Sequence, residues 1–180
     1  MKSIQEICVR NAYVLDSIEE EVKIKVITPV LKILGFTDEF FTTELKIGGE
    51  KVDYALFTDS LPDPPEKYLS HSVAILEAKR GRLDFDRGIQ DEKGKTPVSK
   101  IIGYINNMKL LRDTPFWGIL SNGKRWRLYY SHSNSLLTNY FECYVEELFS
   151  SSSLFSDSNK ENIFEQDNLI IFYLLFRKES

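Results

Sequence analysis

Features of exported and membrane-spanning proteins are scarce in this sequence of 180 residues. It has only two cysteines, Cys8 and Cys143, and neither belongs to a CxxC or Cys/His spacing, so neither a disulfide framework nor a zinc site is indicated. The longest apolar run, Leu169 to Phe176, is too short to span a bilayer. The N-terminus lacks the apolar stretch of a secretory signal. We therefore expect a cytoplasmic protein with no membrane partner.

The sequence also lacks a glycine-rich phosphate loop and a serine triad. Its hydrophobic content of 42% is enough for one domain with a real core, and no internal repeat is visible. We expect one domain over residues 1–149 and a serine-rich loop over 150–160. A C-terminal helix over 161–180 would then pack on the domain or lead to a downstream module.

Charge is unevenly distributed although the net value is only −4. Twelve basic and five acidic residues lie between Lys79 and Arg127, and the remainder is acidic. This basic stretch is compatible both with a phosphate-facing surface and with an ordinary solvated face. Trp117 and Trp126 have apolar neighbours, which favours packing in the core over stacking on nucleic-acid bases.

Helical periodicity runs from Ser3 to about Leu34. A break is expected near Asp16 and Ser17, either of which can cap the second piece, and Pro29 predicts a kink because it lacks an amide donor. Beyond Gly35 the period changes to two, which is typical of strands. A further helix is predicted over Pro97 to Arg112, and a final one over Ile163 to Arg177.

The predicted strands are Phe41–Ile47, Lys51–Phe57, Val73–Lys79, Phe116–Ser121, Arg125–Ser131 and Tyr140–Val145. Gly48-Gly49 and Asn122-Gly123 are typical hairpin turns between two pairs of them. In the second strand, alternation places Val52, Tyr54 and Leu56 on one face. The apolar run VAILEAK indicates a central strand covered on both faces. The fold class is therefore α/β (α+β), with a central mixed sheet covered by the first helix and by the helix from about 97 to 112.

An acid and a lysine end this central strand, two residues apart. Period two places Glu77 and Lys79 on one face, where burial requires that they pair with each other, bind a metal or form a site. Asp53 lies in the preceding strand and would converge with Glu77 if the two strands were neighbours. Two close carboxylates repel, and Mg²⁺ with its oxygen ligands relieves that repulsion. A simple salt bridge at a strand end is the alternative.

The pattern Gly48-Gly49-x-x-x-Asp53 followed by Glu77-Ala78-Lys79 resembles the PD-(D/E)xK nuclease superfamily. It is most similar to the N-terminal nuclease domain of type I restriction-enzyme R subunits and of type IIG-like restriction enzymes. The resemblance extends from about Glu19 to Leu148 and implies a restriction-endonuclease-like core. Val52 replaces the proline of the superfamily's name, and Lys100 stands where many relatives have glutamine.

By this resemblance, Asp53 and Glu77 would bind Mg²⁺ together with the Ala78 carbonyl, and Lys79 would assist the attacking water. Such domains often complete the site with an acid on the first helix, for which Glu19 is the best match and Glu20 the alternative. The expected DNA contacts are Arg80, Lys100, Tyr104 and Lys124.

The expected function is that of a Mg²⁺-dependent endodeoxyribonuclease domain in a restriction-modification or anti-phage system. Restriction-system subunits, or fused helicase or methyltransferase modules, would then be its partners. Two alternatives stay open. One is a catalytically silent nuclease-like module that binds DNA or protein, and the other is a DNA repair or recombination nuclease.

Overall fold

A computed structural model describes residues 2–14, 17–63, 67–87, 94–145 and 175–178. The expected serine-rich loop over 150–160 and most of the expected helix over 161–180 lie outside these residues. Near the C-terminus, Phe176 is 3% exposed and packs edge-on against Trp126, with 5.7 Å between ring centroids. No helix in the described part of the chain is long and apolar enough to cross a membrane.

The N-terminal helical stretch changes its winding just before Pro29. Its segments are α1 Lys2–Arg10, α2 Glu19–Val22, a π-helical turn Lys23–Ile27 and α3 Thr28–Ile33. Thr28 donates its N–H to the carbonyl of Lys23, five residues earlier. This wider turn makes room for a proline ring, which in a regular helix clashes with the carbonyl four residues before it. The disturbance expected at Pro29 therefore takes the form of a π-helical turn.

The start of α2 differs from the sequence prediction. Ile18 is the N-cap residue, and no side chain caps the helix. Ser17 donates its hydroxyl to the Val14 carbonyl at 2.7 Å instead, so the expectation that it caps α2 is wrong, and Asp16 lies outside the described residues. Three acids in the first turn, Glu19 to Glu21, stabilise the positive end of the helix without a cap.

Within the described residues, six strands form one mixed sheet in the order β1-β2-β3-β4-β5-β6. Their bounds are β1 Phe41–Ile47, β2 Glu50–Leu56, β3 Ala74–Ala78, β4 Trp117–Ser121, β5 Arg125–Tyr130 and β6 Tyr140–Tyr144. The short helix α4, Tyr68–His71, precedes β3, and α5, Pro97–Lys109, follows it. Only β3 and β4 run parallel, and α5 provides the crossover that a parallel pair needs. The predicted α+β class with a mixed sheet is confirmed.

Helices cover both faces of the sheet, as the sequence predicted. The face under α1 to α3 packs through a cluster that includes Val22, Val26, Val30, Tyr54, Leu56 and Leu76. The face under α5 packs through a second cluster that includes Val52, Ile75, Ile101, Ile105 and Leu120. Every residue of β3 is buried between these clusters, so its last residues lie deep in the domain.

Two details of side-chain placement were predicted wrongly. Val52 packs on the α5 side, whereas Tyr54 and Leu56 pack on the opposite side. Strict alternation is therefore not kept between Val52 and Tyr54, near the positive φ of 56° at Glu44 on β1 and at the point where the pairing of β2 with β3 begins. Trp126 is fully buried as expected, but Trp117 is 38% exposed and lies against the ring of Tyr130 at 4.9 Å.

Candidate metal-dependent active site

The candidate site lies where β2 and β3 stop pairing. Their antiparallel ladder ends at Tyr54 opposite Leu76, and the same register would next place Asp53 opposite Glu77. Instead of a backbone bond, the side chain of Asp53 accepts the Ala78 N–H through Oδ2 at 2.7 Å. Because Ala78 is fully buried, this bond satisfies a donor that water does not reach. The sequence expectation that the strands of Asp53 and Glu77 are neighbours is confirmed, and Asp53 contributes to the raised pKa of Glu77.

Glu77 is a buried carboxylate whose two oxygens differ in their hydrogen-bond partners. It is 1% exposed, and its Oε1 accepts from Lys79 Nζ at 2.5 Å and from Lys100 Nζ at 2.7 Å. Its Oε2 is buried and has no hydrogen-bond partner among the described residues. The pKa of Glu77 is raised above its usual value, mainly because the carboxylate is buried. The charge of Asp53 adds to this rise, and the positive charges of Lys79 and Lys100 oppose it. One oxygen of this carboxylate is thus free to accept a ligand.

Lys79 Nζ lies among oxygens of three residues, which we call the Lys79 cage. These oxygens are Glu77 Oε1 at 2.5 Å, the Ala78 carbonyl at 2.7 Å and Glu19 Oε2 at 3.5 Å. Only 12% of the lysine side chain is exposed. The contact with Glu77 confirms that the two side chains share a face, and the contact with Glu19 brings the first turn of α2 to the site.

A second lysine, Lys23, reaches the site and was missed by the sequence interpretation. Its Nζ lies 2.7 Å from Glu20 Oε2 and 3.2 Å from Asp53 Oδ1. Burial lowers the pKa of Lys23, but the bonds to Glu20 and Asp53 outweigh burial and the pKa is raised. The spacing held a usable signal, because Lys23 follows Glu20 by three residues and Glu19 by four, which places all three on one helix face. Glu19 and Glu20 therefore both lie at the site, each paired with a different lysine.

Lys100 and Tyr104 connect α5 to both acid-bearing strands. Lys100 contacts Glu77 and lies 5.8 Å from the ring centroid of Tyr104. Tyr104 is 2% exposed and donates its hydroxyl to the Lys51 carbonyl, two residues before Asp53. In this structure both side chains make contacts inside the protein. The DNA contacts expected of Lys100 and Tyr104 therefore remain predictions.

The other expected DNA contacts lie closer to the surface. Arg80 is exposed directly after Lys79, and Lys124 is half-buried in the turn between β4 and β5. Much of the basic stretch is neutralised within the protein. Arg127 is fully buried and bonds to Asp86 at 2.8 Å and to Glu142 at 2.5 Å. The basic composition therefore overstates the positive charge that faces solvent.

The loop after Lys79 is fixed by residues that the sequence analysis did not select as site residues. Asn122 is 5% exposed, and its Nδ2 donates to the carbonyls of Gly81 at 3.1 Å and Leu83 at 3.3 Å. Phe85 is fully buried, with the guanidinium groups of Arg125 and Arg127 over its ring. These contacts hold the segment that follows the Glu77-x-Lys79 pattern against β4 and β5.

The oxygen donors at this site fit a hard divalent cation that takes only a few of its ligands from the protein. Within the described ranges, no group of three or more His, Cys, Asp or Glu residues is placed to hold a metal. The available donors are oxygens of Asp53 and Glu77, the Ala78 carbonyl and the half-exposed Glu19. Mg²⁺ binds proteins through one or two carboxylates and keeps several waters, so a small set of oxygens is sufficient. The unpartnered Glu77 Oε2 is the clearest donor among them.

Two cavities lie at the other end of the sheet. They have volumes of about 230 Å³ and 560 Å³, and Trp117 and Leu128 line both. Trp117 pairs with Ala74 at the start of β3, whereas Glu77 is near the end of that strand. These cavities are therefore separate from the carboxylates and lysines of the candidate site.

No protein-family model, curated protein or solved structure matches this chain.

Proposed function

We propose that this domain is a Mg²⁺-dependent endodeoxyribonuclease of the PD-(D/E)xK type, with a restriction-endonuclease-like core. The observation that carries the proposal is Glu77, a buried carboxylate with one unpartnered oxygen beside Asp53 and Lys79. A buried charge of this kind is costly unless a ligand or partner uses it. An oxygen-binding divalent cation is the ligand that two adjacent carboxylates favour.

The residues divide into two roles. Asp53, Glu77 and the Ala78 carbonyl would hold the cation, and Glu19 would extend the set from α2. When bound, Mg²⁺ lowers the pKa of water and stabilises negative charge on a phosphate. Lys79 would orient the water that attacks phosphorus, or the phosphate itself, as the P–O bond to the leaving oxygen breaks. The charge of Lys79 and its place beside Glu77 support this role.

The choice of DNA as substrate and of a restriction or anti-phage setting rests on the order of the motifs in the sequence. The exposed Arg80 next to the site supports a phosphate contact. Contacts with phosphates carry no sequence information, so we expect target recognition to come from partner subunits or fused modules.

A catalytically silent nuclease-like module that binds DNA or protein is the second candidate. It is favoured by the pairing of the site's lysines: Lys23 contacts Asp53, and both Lys79 and Lys100 contact Glu77. In that function the ion pairs would be structural, and no divalent cation would bind at the carboxylates.

Cleavage of supercoiled plasmid in the presence of Mg²⁺ tests the proposal. The variants are Asp53→Asn, Glu77→Gln and Lys79→Met, each close in shape to the residue it replaces. Asp38→Asn is the matched control, because this carboxylate is 79% exposed and pairs with Lys32 away from the site. We expect wild type and control to cut, and each site variant to lose about a hundredfold or more of the rate.

The outcomes separate the candidates. If folded wild-type protein cuts no DNA with any divalent ion and with its natural partner subunits present, the enzyme proposal fails. DNA or protein binding without cutting would support the silent module. Preferential cutting of branched or single-stranded DNA would indicate a repair or recombination nuclease.

A further inference from the structure

Lys79 occupies a position that a divalent cation would also need. Its ammonium nitrogen lies 2.5 Å from Oε1 of the Glu77 carboxylate and 2.7 Å from the Ala78 carbonyl, and these are two of the groups assigned above to Mg²⁺. Glu19 Oε2 is the third oxygen around it, at 3.5 Å. An ammonium and a divalent cation cannot both take close contacts with the same oxygens, because the positive charges repel each other.

We propose that Lys79 is a tethered competitor of the metal, which occupies the Lys79 cage until a divalent cation displaces its ammonium. The inference rests on the proposed function and adds a regulatory property to the same site. Displacement would release the ammonium from Glu77 and Ala78, while the lysine stem stays fixed at the end of β3. The same group that competes with the cation would then be free to contact the water or the phosphate.

The neighbouring lysine gives a specific contrast. Lys100 contacts the same Glu77 Oε1 at 2.7 Å, but its ammonium is held on α5 beside Tyr104, and no contact with Ala78 is observed for it. If only the positive charge near Glu77 opposed the cation, loss of either lysine would raise cation affinity equally. If the Lys79 cage itself is the binding position, loss of Lys79 has the larger effect.

Calorimetric titration with Mg²⁺ in the absence of DNA tests this inference on wild type, Lys79→Met, Lys100→Met and Lys109→Met. Lys109 is an exposed lysine at the far end of α5 and controls for the change in net charge. We expect Lys79→Met to bind Mg²⁺ about ten- to a hundredfold more tightly than wild type, the range typical of coupled binding events. Lys100→Met should gain less, and Lys109→Met should match wild type. Circular dichroism would verify the fold of each variant.

A second measurement needs no variant. The rate at which an amine-specific reagent acetylates Lys79, read by peptide mass spectrometry, should rise when Mg²⁺ is added to the wild-type protein. Lys109 should be acetylated at an unchanged rate. This result would report release of the ammonium even if Lys79→Met failed to fold.

Two results would overturn the inference. If wild type binds Mg²⁺ and cuts DNA but Lys79→Met binds no more tightly, or Mg²⁺ leaves the acetylation rate of Lys79 unchanged, Lys79 does not compete and the proposed function stands. If Mg²⁺ binds to neither protein, both the inference and the proposed metal-dependent function fail.

Discussion

Replacement of Asp53 should separate a structural role from a catalytic one. The carboxylate accepts the buried Ala78 N–H at 2.7 Å through Oδ2 and contacts Lys23 at 3.2 Å through Oδ1. Asp53→Ala removes both contacts. Asp53→Asn keeps an oxygen that can accept the Ala78 N–H and loses only the charge. We expect both variants to be inactive in DNA cleavage, and only the alanine variant to be strongly destabilised.

The magnitudes follow from the contacts. In Asp53→Ala the Ala78 N–H is left without an acceptor in a fully buried residue, which costs about 1–3 kcal/mol. The ion pair with Lys23 adds about 1 kcal/mol or less, because both side chains keep some exposure and Lys23 retains Glu20. The expected loss of unfolding free energy is therefore about 1–4 kcal/mol for alanine. For asparagine it is about 1 kcal/mol or less.

Urea unfolding of the two variants and the wild type, followed by circular dichroism, measures the difference. Plasmid cleavage with Mg²⁺ measures the catalytic role in the same preparations. Equal stability of Asp53→Ala and wild type would refute the role of Asp53 as acceptor for the backbone of β3. Cleavage by Asp53→Asn at the wild-type rate would refute its role as a cation ligand.

Three further predictions concern the surroundings of the site. Gly48→Ala should cost more stability in urea than Gly49→Ala, since both have positive φ but only at Gly48 would the new Cβ collide with a side chain, that of Asn107 on α5. Arg127→Met should cost about 1.5–3 kcal/mol in the same assay, because the fully buried side chain loses its bonds to Asp86 and Glu142, while both carboxylates keep their contacts with Arg125. The bond from Arg127 lowers the pKa of Asp86, so the stabilising effect of this bond is lost as pH falls through the folded-state pKa of Asp86. Below about pH 4, the urea midpoint of Asp86→Asn should therefore decline less with falling pH than that of wild type. Tyr104→Phe should cost only about 1 kcal/mol in stability, yet slow DNA cleavage by more than that loss explains.

Much of the fold was predictable because the periodic signals were local. The run VAILEAK identified the central strand, and the order of helix and hairpin signals gave the mixed sheet. The two glycines at 48 and 49 identified the first hairpin because a tight turn needs residues that tolerate positive φ. In the structure both have positive φ, at 58° and 84°. Alternation predicts faces only for an undistorted strand, and it failed at Val52, which packs on the α5 side although Tyr54 packs on the other.

The acidic residues of the site could be predicted from the sequence, whereas the placement of the basic residues around them was harder to predict. Asp53 and Glu77 stand out because a lone acid in an apolar strand is costly. Lys23 did not stand out because helix lysines are usually solvated, and its contact with Asp53 depends on how α2 lies against the sheet. Likewise, the pairing of Arg127 with Asp86 joins residues 41 positions apart, which a count of charges along the sequence does not detect.

Two buried charges in the same sheet differ in how completely they are paired, and the difference supports the proposed cation at Glu77. Arg127 is fully buried, and each of its three side-chain nitrogens that can donate is bonded, to Asp86, Glu142 or Tyr129. The same chain leaves Glu77 Oε2 unpaired at equal depth, although two lysines crowd the other oxygen. An unpaired buried acceptor costs about 1–3 kcal/mol, and native proteins retain few of them. A purely structural salt bridge gains nothing from that cost, whereas the proposed cation would use the free oxygen.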